Sequence, residues 1–365
     1  MAFYRYMPIP SDRMGAIHCL SQIGGSVVVE FGPAGTTHFL VTSYPKKGKI
    51  FTTDITDSDI TFGNTNRLID TIKYLDKSNE YEAMFIMHSS VSGIIGIDME
   101  KELNKIKEHV NSKLIPVSIT GLKSNYEVGI KQAFNIVKDN ILPNLNVKAG
   151  RKNTFNILGF MDYECNIHED SMEIERLLSK FFDLSLCSNM FYNTSLQEIK
   201  DSINAKLNIV VHKSAISFAE YLKSTYGIEY IYYRPYGING TKKWLENIAN
   251  LLSTPFPSNI WEEEISNIAC KDEEYKDKSI LVVGNSSFVE FFSKYLKVEL
   301  GVKDVAACEY GKDFEGFMED NKNKCFDLGF GNFLCKPLCK KLIEVCQPVF
   351  EDNDNSIKQL LMGLK

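Results

Sequence analysis

The sequence lacks the features that define membrane, nucleic-acid-binding and repeat proteins. Its 365 residues contain no run of 18 or more apolar residues, so no membrane span is expected. The formal net charge of −6 argues against a nucleic-acid partner, because such partners select a basic surface. The opening residues, MAFYRYMPIPSDR, have no apolar signal region, which predicts a cytoplasmic protein. No short repeat and no low-complexity tract is present.

The cysteines do not suggest a disulfide framework. There are nine of them, an odd number, scattered singly along a long chain, so they are expected to be reduced thiols or metal ligands. The densest group is formed by Cys325, Cys335, Cys339 and Cys346. Thiolates could hold zinc or an Fe–S cluster there, but Pro337 argues against a shared helical face, and we favour buried thiols.

The sequence instead shows a regular alternation of apolar strands and amphipathic helices. The pattern begins with SVVVEF, residues 26–31, and restarts after the polar segment 144–153 and the charged segment 270–279. Such alternation builds parallel sheets. We therefore predict an α/β protein of three Rossmann-like domains, with parallel sheets flanked by helices and a crevice between the domains. The predicted domains are residues 1–150, 151–272 and 273–365.

Chemically reactive residues follow several of the predicted strands. Ligands of open α/β sheets bind beyond the carboxyl ends of strands, so these loops carry the candidate site. Cys165 and His168 share one loop, where a thiolate and an imidazole could bind a metal or act as nucleophile and base. His212 ends the strand KLNIVVH, and Arg234 and Tyr236 follow the next strand. Arginine suits anions through its planar donor fork.

These loops also have purely structural interpretations. The first loop could end in a helix cap at Asp170 or Ser171, and a histidine at a strand end is often a hydrogen-bonded polar residue without further function. Asn239 or Thr241 could cap the helix that follows. The turn VVGNSS, residues 282–287, has one glycine where a dinucleotide fingerprint needs three, so we favour a tight turn with a serine cap over a phosphate site.

Seven segments stand in an order and at a spacing that are specific, although no one of them is decisive. They are PSDRMGAIHCLSQIGG, EFGPAGTTHF, FTTDITDSDITFGNTNRLIDTI, MHSSVSGIIGIDME, SITGLKSNYEVG, the stretch from TSLQEIK to YGINGT, and KSILVVGNSSFVEFFSKYL. Together they resemble the nitrogenase component 1 superfamily, over about residues 8–300. That superfamily includes the subunits of the molybdenum–iron protein, its cofactor-assembly scaffold, the dark-operative protochlorophyllide and chlorophyllide reductases, and the reductive cyclase of coenzyme F430 synthesis.

The resemblance implies where an Fe–S cluster would be held. Members with a cluster between subunits supply cysteines at three turns, and this chain has Ser11, Thr36 and Ser90 at those positions. Hydroxyl groups resist deprotonation and are poor iron ligands, so we do not expect this chain alone to hold that cluster. The three residues are retained as candidate substrate-binding or cofactor-binding residues.

The resemblance also implies two candidate metal ligands. His212 stands where the family binds its active cofactor through a cysteine, and its imidazole can bind Fe, Zn or Ni. Cys19 lies one helix beyond the first turn. An alternative is a cluster with changed ligands, held by Ser11, Asp12 and Cys19 in a dimer. An Fe–S cluster or other metal cofactor would therefore have non-standard ligands or ligands from a partner.

Two functions are open at this point. In the first, the chain is a subunit of a two-component reductase and receives electrons from an iron-protein partner, which alone binds ATP. His212, His168 and Cys165 are then the candidate catalytic residues, and Arg234 and Tyr236 bind substrate or cofactor. In the second, the chain is a non-catalytic scaffold, carrier or regulatory subunit in metal-cofactor assembly. Both imply a dimer, either with itself or with a related subunit.

Overall fold

The structure is a computed structural model that describes most of the chain. The described residues are 11–36, 49–78, 80–122, 124–147, 153–161, 167–266, 275–309 and 314–345. Cys165 and Cys346 lie outside these ranges. Within them, every helix is too short or too polar to cross a membrane.

The N-terminal part of the chain alternates helices and strands around one parallel sheet. Its elements are α1 (Asp12–Leu20), β1 (Ile23–Gly24), β2 (Ser26–Phe31), β3 (Ile50–Thr52), α2 (Asp57–Phe62), α3 (Asn66–Asp76), β4 (Ala83–His88), α4 (Ser90–Ile95), α5 (Met99–Asn104), β5 (Lys113–Val117) and α6 (Tyr126–Asn140). The strand order is β3-β2-β4-β5, with parallel pairing throughout. Strands β2 and β4 are buried along their whole length, which explains their continuous apolar sequences.

A second sheet follows. Its part of the chain contains β6 (Thr154–Leu158), α7 (Ile167–Phe182), β7 (Ser185–Met190), β8 (Thr194–Ser195), α8 (Leu196–Asp201), β9 (Leu207–Val210), α9 (Ile216–Tyr226), β10 (Glu229–Tyr232), α10 (Gly237–Leu251) and α11 (Ser258–Ile265). The order is β10-β9-β6-β7, and β9 pairs in parallel with β10 and β6. Asn156 and Asn208 are paired in register at its centre, and their buried amides share a hydrogen bond of 2.8 Å.

The third sheet uses the same local plan. It is formed by β11 (Ser279–Gly284), α12 (Ser286–Val298), β12 (Asp304–Glu309), α13 (Phe314–Asn321), β13 (Phe326–Gly331) and β14 (Cys339–Glu344). The order is β12-β11-β13-β14, and all three pairings are parallel. Helix α12 packs one apolar face against one side of this sheet, through Phe288, Phe292 and Leu296. Parallel sheets flanked by helices confirm the predicted α/β fold class.

The chain also divides into two compact units. One contains the described residues within 10–148 and 188–203, and the other contains those within 149–187 and 204–365. Strand β8 explains why 188–203 joins the first unit, since it pairs in parallel with β1. The division into three domains, at residues 1–150, 151–272 and 273–365, and the crevice between them stay predictions.

Several helix boundaries differ from those predicted. The charged and apolar spacing over 96–113 predicts one helix, but the helix there, α5, is shorter. It starts late because Gly96 takes the left-handed conformation that ends α4 and Asp98 then caps α5, and it ends at Asn104, before a 3₁₀ turn at Lys107–His109. Helix α7 begins at Ile167, so Asp170 and Ser171 lie inside it rather than capping it. Helix α10 begins at Gly237, so neither Asn239 nor Thr241 is its cap, which is a correction of both structural interpretations.

Candidate functional site

The three turns predicted from the resemblance meet at the carboxyl edge of the first sheet. Ser11 is the N-cap of α1, where its Oγ accepts a hydrogen bond from the Met14 N–H at 3.4 Å. Ser90 is the first residue of α4, two residues after the end of β4. Thr36 follows the Gly-Pro turn after β2, and its Oγ1 donates to the Pro33 carbonyl at 2.8 Å. These turns thus come together although they are far apart in sequence.

A buried ion pair lies between these turns, and sequence reasoning missed it. Arg13 Nη2 donates to Glu30 Oε1, and both residues are buried, Arg13 being 7% exposed and Glu30 0%. Arg13 Nη1 also lies 3.5 Å from Ser90 Oγ, and Thr36 Oγ1 lies 3.4 Å from Glu30 Oε1. Burial lowers the pKa of Arg13, and the charge and hydrogen bond of Glu30 oppose that shift. We call Arg13 and Glu30 the edge pair.

Ser11 joins the same cluster through Gly121. A methyl group on Gly121 would lie 3.2 Å from both Ser11 Oγ and Arg13 Cβ, and 3.5 Å from Ser90 Oγ. The edge pair therefore contacts or borders all three turns. The one sequence signal for it was a charged residue in the apolar strand SVVVEF, which demands a buried partner.

This donor set does not fit an Fe–S cluster. Hydroxyl groups and a guanidinium supply no thiolate, and the side chains that reach them already form an ion pair. Cys19 is fully buried, and burial raises the pKa of its thiol well above the ordinary value, which favours the protonated form that binds iron poorly. Asp12 Oδ1 accepts the Arg13 N–H at 2.8 Å. The geometry therefore gives no support to the alternative with Ser11, Asp12 and Cys19 as ligands.

The second cluster lies at the carboxyl edge of the second sheet and centres on His212. This residue is fully buried and caps a short 3₁₀ turn, residues 213–215, where its Nδ1 accepts the Ser214 N–H at 3.2 Å. Because Nδ1 accepts, the neutral ring carries its proton on Nε2. In this tautomer Nε2 is a hydrogen-bond donor, whereas a metal-bound histidine donates through the nitrogen that does not hold the metal. The roles of His212 as metal ligand and as catalytic residue stay predictions.

The end of β6 connects His212 with Arg234. Gly159 has a φ of +110°, and a Cβ there would lie 2.5 Å from the His212 Cβ, so only glycine fits. The next residue, Phe160, has the Arg234 guanidinium 5.4 Å from the centre of its ring. The structure therefore brings the two predicted site residues to the same strand end.

Arg234 already has an anionic partner in the chain. Its Nη2 donates to Asp170 Oδ2 at 3.1 Å, and the arginine is 8% exposed. Burial raises the pKa of Asp170, and Arg234 opposes that shift. His168 is exposed on the same helix, two residues before Asp170. A bound anion would therefore share Arg234 with Asp170 or displace it.

Tyr236 is a packing residue in this structure. Its ring centre lies 5.4 Å from that of Phe292 and 6.3 Å from that of Tyr295, both on α12. The Glu299 carboxylate, which we did not predict, binds the N-terminal N–H groups of α10 by accepting from Asn239 at 3.1 Å and Gly240 at 3.2 Å. An acidic group is favourable at a helix N-terminus, so the chain supplies this anion itself.

The turn VVGNSS also connects two sheets. Its N-cap is Asn285, which accepts from the Phe288 N–H at 2.9 Å, so the predicted serine cap is corrected to an asparagine cap. Ser287 Oγ accepts from the Lys213 N–H at 2.8 Å and lies 3.1 Å from the Tyr232 hydroxyl. The loop that carries His212 is therefore held by the third sheet as well as by its own.

The C-terminal cysteines form no metal site in the described part of the chain, where no three His, Cys, Asp or Glu side chains are grouped as metal ligands. Cys335 is fully buried, and burial raises the pKa of its thiol to about 12. Cys339 begins β14 and has its pKa raised to about 11 by burial, whereas Cys325 is exposed. Cys335 thus behaves as the buried thiol that we favoured.

The fold is a Rossmann-like α/β fold in which hydrogen-bond donors lie at the carboxyl ends of the parallel strands. The family model described as nitrogenase component 1 type oxidoreductase matches residues 11–363. The chain therefore belongs to the nitrogenase component 1 family, as the sequence resemblance predicts.

Similar proteins include both biosynthetic and enzymatic members of this family. The nitrogenase iron-molybdenum cofactor biosynthesis protein NifE of Nostoc sp. is 26% identical over 56% of this chain and 42% of its own length. The nitrogenase molybdenum-iron protein alpha chain of Clostridium pasteurianum is 26% identical over 73% of this chain and 53% of its own length. The chain thus spans about half the length of the curated relatives that it matches.

A solved structure has the same fold. Nitrogenase Cp1 at pH 5 superposes with a TM-score of 0.70 and 20% sequence identity, over 100% of this chain and 72% of that chain.

Proposed function

We propose that this chain is a nitrogenase component 1-like scaffold or carrier subunit in metal-cofactor assembly. It binds an anionic metal–sulfur cofactor or its precursor at the carboxyl edge of the second sheet. The observation that carries the proposal is the joint placement of His212 and Arg234 on the Gly159–Phe160 strand end. Both offer hydrogen-bond donors, which suit an anion held by hydrogen bonds and charge rather than by direct ligation.

The donor set of the first sheet supports the same role. A reductase subunit of this family would need an electron path, and the turns that hold cluster cysteines in relatives carry hydroxyls here. The similarity to the cofactor biosynthesis protein NifE agrees with a carrier. His168, exposed near Asp170, is the candidate proton donor for any step on the bound cofactor.

A second candidate is a subunit of a two-component reductase. It is favoured by the match to the molybdenum-iron protein alpha chain, which extends over 73% of this chain. In this alternative a related subunit supplies the cluster ligands, an iron protein binds ATP and delivers electrons, and His212, His168 and Cys165 are catalytic. The dimer and the cytoplasmic location are common to both proposals, whereas the iron-protein partner belongs to the second, and all three stay predictions.

Anaerobic binding of extracted iron–molybdenum cofactor tests the first proposal. We expect the purified chain to bind it, and Arg234→Ala and His212→Ala to weaken binding by roughly tenfold each, the loss expected for one charged hydrogen bond. Arg176→Ala is the matched control, since Arg176 pairs with Glu173 on the exposed surface of the same unit. Equal binding by all variants would contradict the site.

The same preparation separates the two candidates. Iron protein with MgATP is added to the loaded chain under dithionite, and the visible spectrum is followed. For a carrier, we expect no ATP-dependent bleaching of the visible spectrum. A reductase subunit should show such bleaching once its partner subunit is present.

A further inference from the structure

The edge pair occupies the centre of the turns that hold a cluster in relatives. Arg13 stands in the first turn of α1, and Glu30 is the penultimate residue of β2. The pair therefore ties a helix to a strand, and Ser90 and Thr36 reach it from two further turns at 3.5 Å and 3.4 Å. The contact set is internal to one compact unit of the chain.

We propose that the edge pair replaces the interface cluster in this chain and joins the three turns without a metal. The proposal rests on family membership and on these contacts, and it is independent of the function proposed for His212 and Arg234.

Charge balance supports this replacement. A fully buried carboxylate is stable only with a paired cation or hydrogen-bond donors, and Arg13 supplies both from two residues beyond Ser11. An Fe–S cluster with thiolate ligands is itself negative, so placing it on the same turns would add negative charge beside buried Glu30. The pair and a cluster are thus alternative ways to fill this edge.

The hydroxyls also have a defined role once the pair is present. Thr36 donates to the Pro33 carbonyl and approaches Glu30, while Ser11 caps α1. Ser90 lies within reach of the Arg13 guanidinium. Each hydroxyl satisfies a backbone group or a charged group next to the pair, which a thiol would do more weakly.

Urea unfolding of chelator-treated protein tests the structural part. Glu30→Gln leaves Arg13 buried and uncompensated, and we expect the unfolding midpoint to fall by roughly a third or more. Arg13→Met with Glu30→Leu replaces the pair by apolar groups of similar size, and should recover most of that loss. The matched control is Glu82→Gln, which removes the exposed ion pair with Lys200 in the same unit and should change the midpoint little.

Iron content tests the replacement itself. Protein is reconstituted anaerobically with ferrous iron and sulfide. Ser11→Ala, Thr36→Val and Ser90→Ala combined should bind as much iron as the unsubstituted chain. Cysteines placed together at positions 11, 36 and 90 should gain a cluster only when the edge pair is also replaced by Met and Leu.

Three results would overturn the proposal. They are loss of iron in the combined hydroxyl variant, a cluster gained by the three cysteines with the edge pair intact, and a fall in the urea midpoint on chelation alone as large as that of Glu30→Gln. None of these results depends on whether the second sheet binds a cofactor.

Discussion

The carboxyl edges of the first and second sheets occupy the same place in two similar folds, yet they are built differently. At the first edge, Arg13 and Glu30 neutralise each other inside the protein. At the second edge, Arg234 is paired with a carboxylate that is partly exposed, and His212 has its donor nitrogen, Nε2, set by a backbone contact. The first edge is thus a closed, buried ion pair, whereas the second is the edge at which we propose that a ligand binds.

The largest expected effect is on the helix that carries the first edge. Gly15 and Gly129 allow α1 and α6 to approach so closely that a Cβ on Gly129 would overlap the Asp12 carbonyl. We expect Gly129→Ala to lower the free energy of unfolding by about 3 kcal/mol, because backbone cannot yield as a side chain would. Urea unfolding measures this. Gly35→Ala, with no atom near its Cβ, is the control, and equal effects would refute the close packing as the cause.

A smaller effect is expected at the second edge. Gly159→Ala forces a positive φ on alanine and places its Cβ against His212, so we expect a loss of about 2 kcal/mol. It should also weaken cofactor binding, since His212 must shift. Gly240→Ala, whose Cβ would lie 3.5 Å from the Tyr233 hydroxyl, is the control. A loss of stability with unchanged binding would separate Gly159 from the site.

The pH dependence of stability should differ between the two units. Burial lowers the pKa of His18, in the first unit, to about 3. Between about pH 6.5 and pH 3, His18 is therefore protonated in the unfolded chain but neutral in the folded chain. Stability is lost as the pH falls through this range, at up to about 1.4 kcal/mol per pH unit.

His18→Gln should reduce this loss of stability on acidification, as measured by urea unfolding between pH 7 and pH 4. His168→Gln, at an exposed position in the second unit, is the control and should leave the pH dependence of stability unchanged. An identical slope in His18→Gln and the unsubstituted chain would show that another group causes the acid loss.

The smallest effect on stability is expected for Asp170→Asn. Burial raises the pKa of Asp170 above that of the unfolded chain. The stability that Asp170 contributes is therefore fully present below the unfolded pKa and is lost as the pH rises through the raised, folded-state pKa. Its side chain is a third exposed, so we expect Asp170→Asn to change the free energy of unfolding by less than about 1 kcal/mol at pH 7.

The informative result for Asp170→Asn is binding. Asp170→Asn removes the carboxylate that competes with a bound anion for Arg234, so cofactor affinity should rise several-fold in the titration described above. An unchanged affinity would mean that Arg234 stays paired when the cofactor is bound.

Local pattern predicted much of this fold, and each of its errors has a physical cause. Strand SVVVEF was placed at its observed bounds because a buried parallel strand is continuously apolar. The helix over 96–113 was predicted too long because periodicity alone shows neither the left-handed Gly96 that delays its start nor the change to a 3₁₀ turn at Lys107–His109. The N-terminus of α10 was misplaced because its N–H groups are satisfied by Glu299, about 60 residues further along the chain.

The sequence by itself determined the alternation of strands and helices, the family, and the replacement of cysteines by Ser11, Thr36 and Ser90. These are properties of residue identity and order. Only the tertiary structure decided that Arg13 and Glu30 lie together at those turns, and that Arg234 and His212 share a strand end. Such pairings depend on crossover connections that bring distant loops to one sheet edge. Local periodicity does not predict which side chains then come into contact.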